Sequence, residues 1–291
     1  MTQIIHYPLP KHFCRSEFLQ FHGHSGYAVS EEIHEMTFKK GMLWNGKPLC
    51  LEFDFSDESS AQITMVDLIK VDADFQRMLD HFLTATQPIG VFEQHFADHP
   101  ELGDIIREQN GLAMTTMATP FEALSWAIVS QQVSIKAARS LRKRFVEAVG
   151  IRHDTGLFCY PDAKSMLALT VDDLRSAGLS RTKSQTLLDV SQRICAGEIC
   201  LDISKRDKLI HDLLSVKGIG MWTVNYTLLR GFACLDSSLH GDLAIRKSLA
   251  LLLDADFVTE KEALAWLEKL QPYRSLAAVH LWKFLNNAVR G

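Results

Sequence analysis

The residues of this chain whose types and spacing could do chemistry lie between Leu213 and Lys247, in the run LLSVKGIGMWTVNYTLLRGFACLDSSLHGDLAIRK. An amphipathic stretch, Ser204 to Leu214, breaks at Ser215-Val216-Lys217-Gly218-Ile219-Gly220 and restarts as Met221 to Leu229. Two helices joined by a glycine-bearing hairpin is the simplest reading. Gly218 and Gly220 permit close backbone approach, and the second helix begins with N–H groups that have no intrahelical acceptor. An anion such as a phosphate can bind there without any side chain. Trp222 and Tyr226, four apart, share a face of that helix. Asp242 follows Gly241 at the head of a further helical run, Leu243 to Leu253, where it is either an N-cap or a catalytic carboxylate.

The elements that must position these residues are mostly helices. From Asp98 onward, 3.6-residue apolar spacing or cap signals mark Asp98–Glu108, Pro120–Ser130, Ser134–Val149, Asp162–Leu169, Thr170–Ala177, Ser184–Ala196, Thr259–Leu270 and Ser275–Val289, besides the runs already named. Ser134 precedes a stripe of Ile135, Ala138, Leu141, Phe145 and Val149 that Gly150 stops, and Thr170 with Asp173 makes a capping box. The first third reads differently. Tyr27–Val29, Glu35–Phe38 and Pro48–Phe55 are short and partly alternating, with Gly41 and Asn45-Gly46 as turns. Helices are expected at Arg15–His22 and Asp72–Leu83. The chain is therefore read as α+β: a small antiparallel-sheet module, residues 1–113, before an all-α domain, residues 114–291.

Charge divides the same way. The formal net charge is −4. Met1 to Asn110 holds 8 Lys and Arg against 17 Asp and Glu, whereas Gly111 to Gly291 holds 23 against 18. A basic half joined to an acidic one makes a nucleic acid a reasonable partner despite the acidic total. The six cysteines are scattered with no CxxC, which signals neither a disulfide framework nor a metal cluster. His22 and His24 have no accompanying ligand set, so core or surface histidines are expected there. No apolar run reaches the roughly 18 residues that cross a bilayer, and the first residues lack a signal-peptide block, so a cytoplasmic protein with no membrane partner is expected.

The run KGIGMWTVNYTLLRGF, followed twenty residues after Trp222 by Asp242 in HGDLAIRK, resembles the helix-hairpin-helix DNA glycosylases. Gln131-Gln132-Val133-Ser134 and the ending YRSLAAVHLW fit the 3-methyladenine DNA glycosylase II branch of that superfamily. The likeness covers about Thr119 to Ala288, and the acidic module is similar to the small α/β domain of that branch.

This resemblance implies a monofunctional DNA glycosylase that removes alkylated purines from double-stranded DNA in base-excision repair. Such an enzyme acts as a monomer without a cofactor, associated with the nucleoid. Asp242 is implied as the catalytic carboxylate, facing positive charge that develops at C1′ of the sugar. Trp222, Tyr226 and Trp282 are implied as walls against which a flipped-out base stacks, with cation–π attraction for a cationic purine. Bifunctional relatives carry a lysine at the place of Trp222, so this chain should leave the abasic site uncut.

DNA contact is implied for Lys217, Gly218, Ile219, Gly220 and Met221 at the hairpin, where Ile219 and Met221 offer N–H groups to a phosphate. It is also implied for Gln131, Gln132 and Ser134, with Gln132 filling the gap left by the flipped base. The carbonyls of Leu214, Val216 and Ile219 are where related proteins bind a monovalent cation, which takes no part in catalysis. Lys217 stands where many relatives have proline. Lys136, Arg139, Arg142, Lys143 and Arg144 on one helix, with Arg181 and Lys183 on another, are either a DNA-facing stripe or an ordinary solvated face. Two rival functions share these features: a glycosylase of the same fold for a deaminated or oxidised base, and a non-catalytic damaged-DNA-binding protein.

Overall fold

The computed structural model describes residues 2–23, 29–66 and 69–290. Its first elements are β1 (Gln3–Pro8), α1 (Arg15–His22), β2 (Glu31–His34), β3 (Thr37–Trp44), β4 (Lys47–Asp54), β5 (Ser60–Met65), α2 (Ala73–Phe82), α3 (Ile89–Phe96) and α4 (Gly103–Glu108). Helices follow: α5 (Pro120–Ser130), α6 (Ile135–Val149), α7 (Val171–Ser176), α8 (Arg181–Cys195), α9 (Arg206–Leu214), α10 (Met221–Phe232), α11 (Leu243–Leu252), α12 (Glu260–Glu268) and α13 (Arg274–Arg290). The α+β class expected from the sequence is the one observed.

All strands pair antiparallel in the order β1-β5-β4-β3-β2. Asn45 and Gly46 both have positive φ, so the two-residue turn between β3 and β4 has the twist that a tight hairpin needs. The inward residues Phe38, Leu51, Phe53 and Ile63 pack on Phe18 of α1 and on Phe75, Leu79 and Phe82 of α2. Several boundaries differ from the expected ones. Glu35, with φ of 53°, closes a tight turn between β2 and β3, so the strand expected from residue 35 starts at Thr37. Tyr27 and Ala28, expected in a strand, and His24 lie outside the described residues. The helix expected over Asp98–Glu108 begins only at Gly103, because Pro100 disfavours helical backbone at His99. Asp162–Leu169 holds a single 3-10 turn, Ser165–Ala168.

The helical part has two apolar cores, and α5 and α10 feed both. Ala123 and Ala127 of α5 and Tyr226 and Leu229 of α10 join the core of α3, α4 and α11 to α13. Phe121, Leu124 and Ile128, with Val224 and Leu228, join the core of α6 to α9. The two helices lie so close that a Cβ on Gly231 would stand 2.9 Å from the Pro120 Cα. Although α3 and α4 precede the expected boundary at residue 113, their apolar residues belong to the core of the C-terminal helices.

The sheet is tied to the helices by a buried set of charges. Lys40 of β3, fully buried, donates to Glu31 of β2 and to Glu122 of α5. Arg142 of α6 donates to Glu122 at 2.6 Å and reaches Glu31 at 3.4 Å. Burial alone would raise the Glu31 carboxyl, but Arg142 and Lys40 hold it well below the usual carboxylate range. Two cations and two carboxylates leave the set neutral, and each charge has a partner, which is the condition for burying it. Backbone contacts add to the tie: Tyr160 N–H donates to the Gly41 carbonyl, and a Cβ on Gly41 would stand 2.2 Å from the Phe158 carbonyl oxygen.

His280 of α13 is fully buried and, chiefly through burial, its pKa falls from 6.5 to about 4; His22, beside Glu31, is lowered for the same first reason. Both are neutral in the fold, while the unfolded chain takes up protons below pH 6.5. Their contribution is therefore complete above pH 6.5 and is lost as pH falls toward 4, at up to about 3 kcal/mol for His280. Thermal melts from pH 7.5 down to pH 4.5 should show a steady loss of Tm, with a shallower acid-side slope in His280→Gln.

Candidate active site

Four N–H groups converge on the Asp242 carboxylate. As N-cap of α11 it accepts on Oδ1 from Ala244 N at 2.9 Å and Ile245 N at 3.1 Å. Trp282 Nε1, from α13, donates to the same oxygen at 3.2 Å, while Trp222 Nε1, from α10, donates to Oδ2 at 2.9 Å. The cap is observed at this geometry, and it does not use up the carboxylate. Oδ1 is filled by cap and indole, whereas Oδ2 accepts one indole N–H and keeps acceptor capacity for a ligand. Asp242 is half-buried.

The loop leading into Asp242 is held from both sides. Asn225 of α10 donates to the Ser238 carbonyl at 2.8 Å. On the α13 side, Arg274 pairs with Asp236, Ser237 N–H donates to Ser275 Oγ at 2.9 Å, and Ser275 N–H donates to the Leu235 carbonyl. Tyr273-Arg274-Ser275 thus docks the start of α13 on this loop, and Trp282, two turns on, arrives at the carboxylate.

Trp222, Tyr226 and Trp282 are brought together as expected, but not as a slot. The Trp222 and Tyr226 rings have centroids 5.3 Å apart at 31°, and Tyr226 and Trp282 are 6.3 Å apart. Rings at such spacing touch one another. A base cannot enter between Trp222 and Tyr226 without parting them, and the surfaces left for it are the outer faces of the half-buried tryptophans. The pair of indoles also has a second task that ring identity alone does not reveal, because their N–H groups orient Asp242.

Sequence reasoning missed three residues here. Trp126 of α5 donates its indole N–H to the Tyr226 hydroxyl at 2.9 Å. Arg230 and Phe21 close the far side, with the Arg230 guanidinium 4.6 Å from the Phe21 ring centre and 5.0 Å from that of Trp282. Arg230 carried a readable signal, since it continues the Trp222–Tyr226 spacing by one more turn. Trp126 and Phe21 carried none, because they come from distant elements.

The hairpin is present between α9 and α10. Gly218 has φ of +94°, and Gly220 is the N-cap of α10 with no side chain to cap it. The first-turn N–H groups, Met221 among them, therefore lack an intrahelical or side-chain acceptor, and Met221 is exposed. Ile219 differs from expectation: its N–H donates to the Val216 carbonyl at 3.1 Å inside the turn, which also occupies one of the carbonyls expected for a cation. Gln131 is committed internally as well, donating through Nε2 to the Gly218 carbonyl and Thr223 Oγ1, each at 2.9 Å. It joins the hairpin to the loop between α5 and α6 instead of facing outward. Gln132 is exposed with φ of 53°, and Ser134 spends its hydroxyl capping α6. Lys217 is exposed.

The basic stripe is only partly outward. Arg142 turns in to Glu31 and Glu122, Arg144 donates to the Ala177 carbonyl, and Lys183 donates to the carbonyls of Val129 and Gln131 at the end of α5. Lys136 and Arg181 remain exposed.

The sequence profile of the HhH-GPD superfamily base excision DNA repair proteins matches residues 125–272. The chain belongs to that superfamily. Among its relatives is the putative DNA-3-methyladenine glycosylase YfjP of Bacillus subtilis, 25% identical, the alignment covering 82% of this chain and 79% of that one. The fold is that of the 3-methyladenine DNA glycosylase from Archaeoglobus fulgidus, with a TM-score of 0.84 at 17% identity over 97% of this chain and 98% of the other. The Schizosaccharomyces pombe 3-methyladenine DNA glycosylase Mag1, solved with abasic DNA, matches at 26% identity and a TM-score of 0.58, covering 66% and 95%. In this superfamily member the hairpin sits beside the carboxylate because α10 carries both Gly220 at its start and Trp222 one residue into its first turn.

A Cβ on Gly218 would stand 2.3 Å from Thr186 Oγ1, besides the left-handed backbone, whereas one on Gly220 meets nothing within 4 Å. Gly218→Ala should therefore lower stability by about 2 kcal/mol, measured by denaturant titration, while Gly220→Ala leaves it nearly unchanged.

Proposed function

We propose that this protein is a monofunctional DNA glycosylase that hydrolyses the N-glycosidic bond of alkylated purines in base-excision repair, acting on double-stranded DNA as a monomer. The observation that carries this reading is the Asp242 carboxylate, oriented by two indole N–H groups with acceptor capacity left on Oδ2, at the edge of an aromatic cluster and beside a hairpin with unfilled N–H groups. The relatives support the lesion class, since YfjP and Mag1 are both named 3-methyladenine glycosylases.

The chemistry follows from these groups. Cleaving the bond leaves an oxocarbenium-like sugar, and a fixed carboxylate stabilises the charge at C1′ and orients the attacking water. The Gly220 and Met221 N–H groups at the positive end of α10 take a phosphate of the same strand. Gln132 enters the gap in the stack, its loop braced by Gln131 and Lys183. Trp222 has no amine, so no Schiff base forms with the sugar and the strand stays intact.

Asp242→Asn keeps an acceptor for the helix cap but removes the charge. Release of 3-methyladenine from methylated DNA should fall about 100-fold or more, with affinity for an abasic duplex kept; full release by the variant refutes the assignment. Lost binding with lost release would point instead to a structural role for the carboxylate. With a single-lesion duplex, the wild type should give nicked product only after alkali, and borohydride should trap no covalent complex.

A further inference from the structure

Burial rises along the face of α10 that begins at Trp222. Trp222 is half-buried, Tyr226 is 9% exposed and Arg230, one turn deeper, is 7% exposed. The Arg230 guanidinium lies against both Phe21 and Trp282, and Nη1 donates to the Thr115 carbonyl. Its Nε is buried without an acceptor among the described residues. Burial draws the guanidinium below its ordinary pKa, with the Tyr226 hydroxyl and the Asp242 carboxylate opposing that shift. An arginine stays protonated in such surroundings. The aromatic cluster therefore contains a desolvated cation of its own, with its Nε donor unused among the described residues.

That cation acts differently on two kinds of base. When the C1′–N bond breaks, its electron pair leaves on the base nitrogen. A cationic base such as 7-methylguanine departs neutral. An uncharged base such as 1,N6-ethenoadenine departs as an anion, which afterwards takes a proton from solvent; in both cases water adds at C1′ and its proton passes to solvent by way of Asp242. A fixed positive charge stabilises the departing anion, most strongly where water is excluded. It gives nothing to a neutral leaving group, and it repels a base that enters with a positive charge. The cation–π attraction expected from the aromatics alone is opposed by a cation already resting on Trp282.

We propose that Arg230 is a specificity-determining residue, a fixed cation buried against the Trp282 ring that favours uncharged lesion bases over cationic ones. The inference rests on the glycosylase reading and names the substrate class of the same site.

The test compares single-turnover release of 1,N6-ethenoadenine and of 7-methylguanine from otherwise identical duplexes by wild type, Arg230→Met and Arg230→Lys. Arg230→Met keeps the stem and removes the charge. It should lose about tenfold or more in ethenoadenine release, while 7-methylguanine release changes by less than about threefold or rises, and Arg230→Lys should recover part of the loss. A parallel fall for both bases in a folded Arg230→Met, or no change in either, overturns the inference while leaving the glycosylase reading in place. If Arg230→Met does not fold, the wild type decides: its acceleration over spontaneous base loss must be greater for ethenoadenine, and an equal or smaller acceleration overturns the inference. No release of either base by the wild type overturns both readings.

Discussion

The site depends on how one carboxylate is shared. Asp242 caps α11 with Oδ1 and is gripped by indole N–H groups from α10 and α13, so three helices converge on two oxygens. Hydrogen bonds to a charged acceptor are stronger than neutral ones, each of order 1.5–3 kcal/mol, and these four fix both position and rotation. Reach follows from the division of labour. Because the cap and one indole occupy Oδ1, Oδ2 is the oxygen with acceptor capacity to spare.

The helices that deliver those donors are in turn held by the spine of α5 and α10. Their close crossing at Gly231 and Pro120 sets the roll of α10, and hence where Trp222, Tyr226 and Arg230 point. Trp126 on α5 fixes the Tyr226 hydroxyl across the same interface. The buried group of Lys40, Glu31, Glu122 and Arg142 then fastens the sheet against α5 and α6. Its charges are too far from water to be tolerated singly, so each helix or strand that supplies one is locked to the others. The acidic N-terminal part thereby serves as a brace for α5, and it brings Phe21 to the back of the aromatic cluster.

How much was legible varied with the range of the interaction that decided each feature. The helices with strong periodicity or caps, such as α6 between Ser134 and Gly150 and α7 with its Thr170–Asp173 box, lie where spacing places them, because local hydrogen bonds govern their ends. The α3–α4 region departs from its apolar spacing, since Pro100 interrupts the helix that the pattern over Asp98–Glu108 predicts. Side-chain roles were harder. Gln131, Lys183, Arg142 and Arg144 look like polar or basic surface in a sequence, yet each donates inward to carbonyls or carboxylates from other elements. An unpaired donor and a partnered one have the same letter.

By itself the sequence determined the hairpin, the place of Asp242 at the head of a helix, the aromatic pair at i and i+4 and the absence of a lysine at Trp222, because these follow from residue type and from spacing along one helix. Only the tertiary structure decided what those residues do to one another. It set the Trp222 and Tyr226 rings in tilted contact with no slot between them, turned both indole N–H groups onto Asp242, and set Arg230 between Phe21 and Trp282. The physical reason is that, apart from the Trp222–Tyr226 pair, these contacts join residues 20 to more than 200 positions apart, so they are fixed by packing of whole helices and leave no periodicity in the chain.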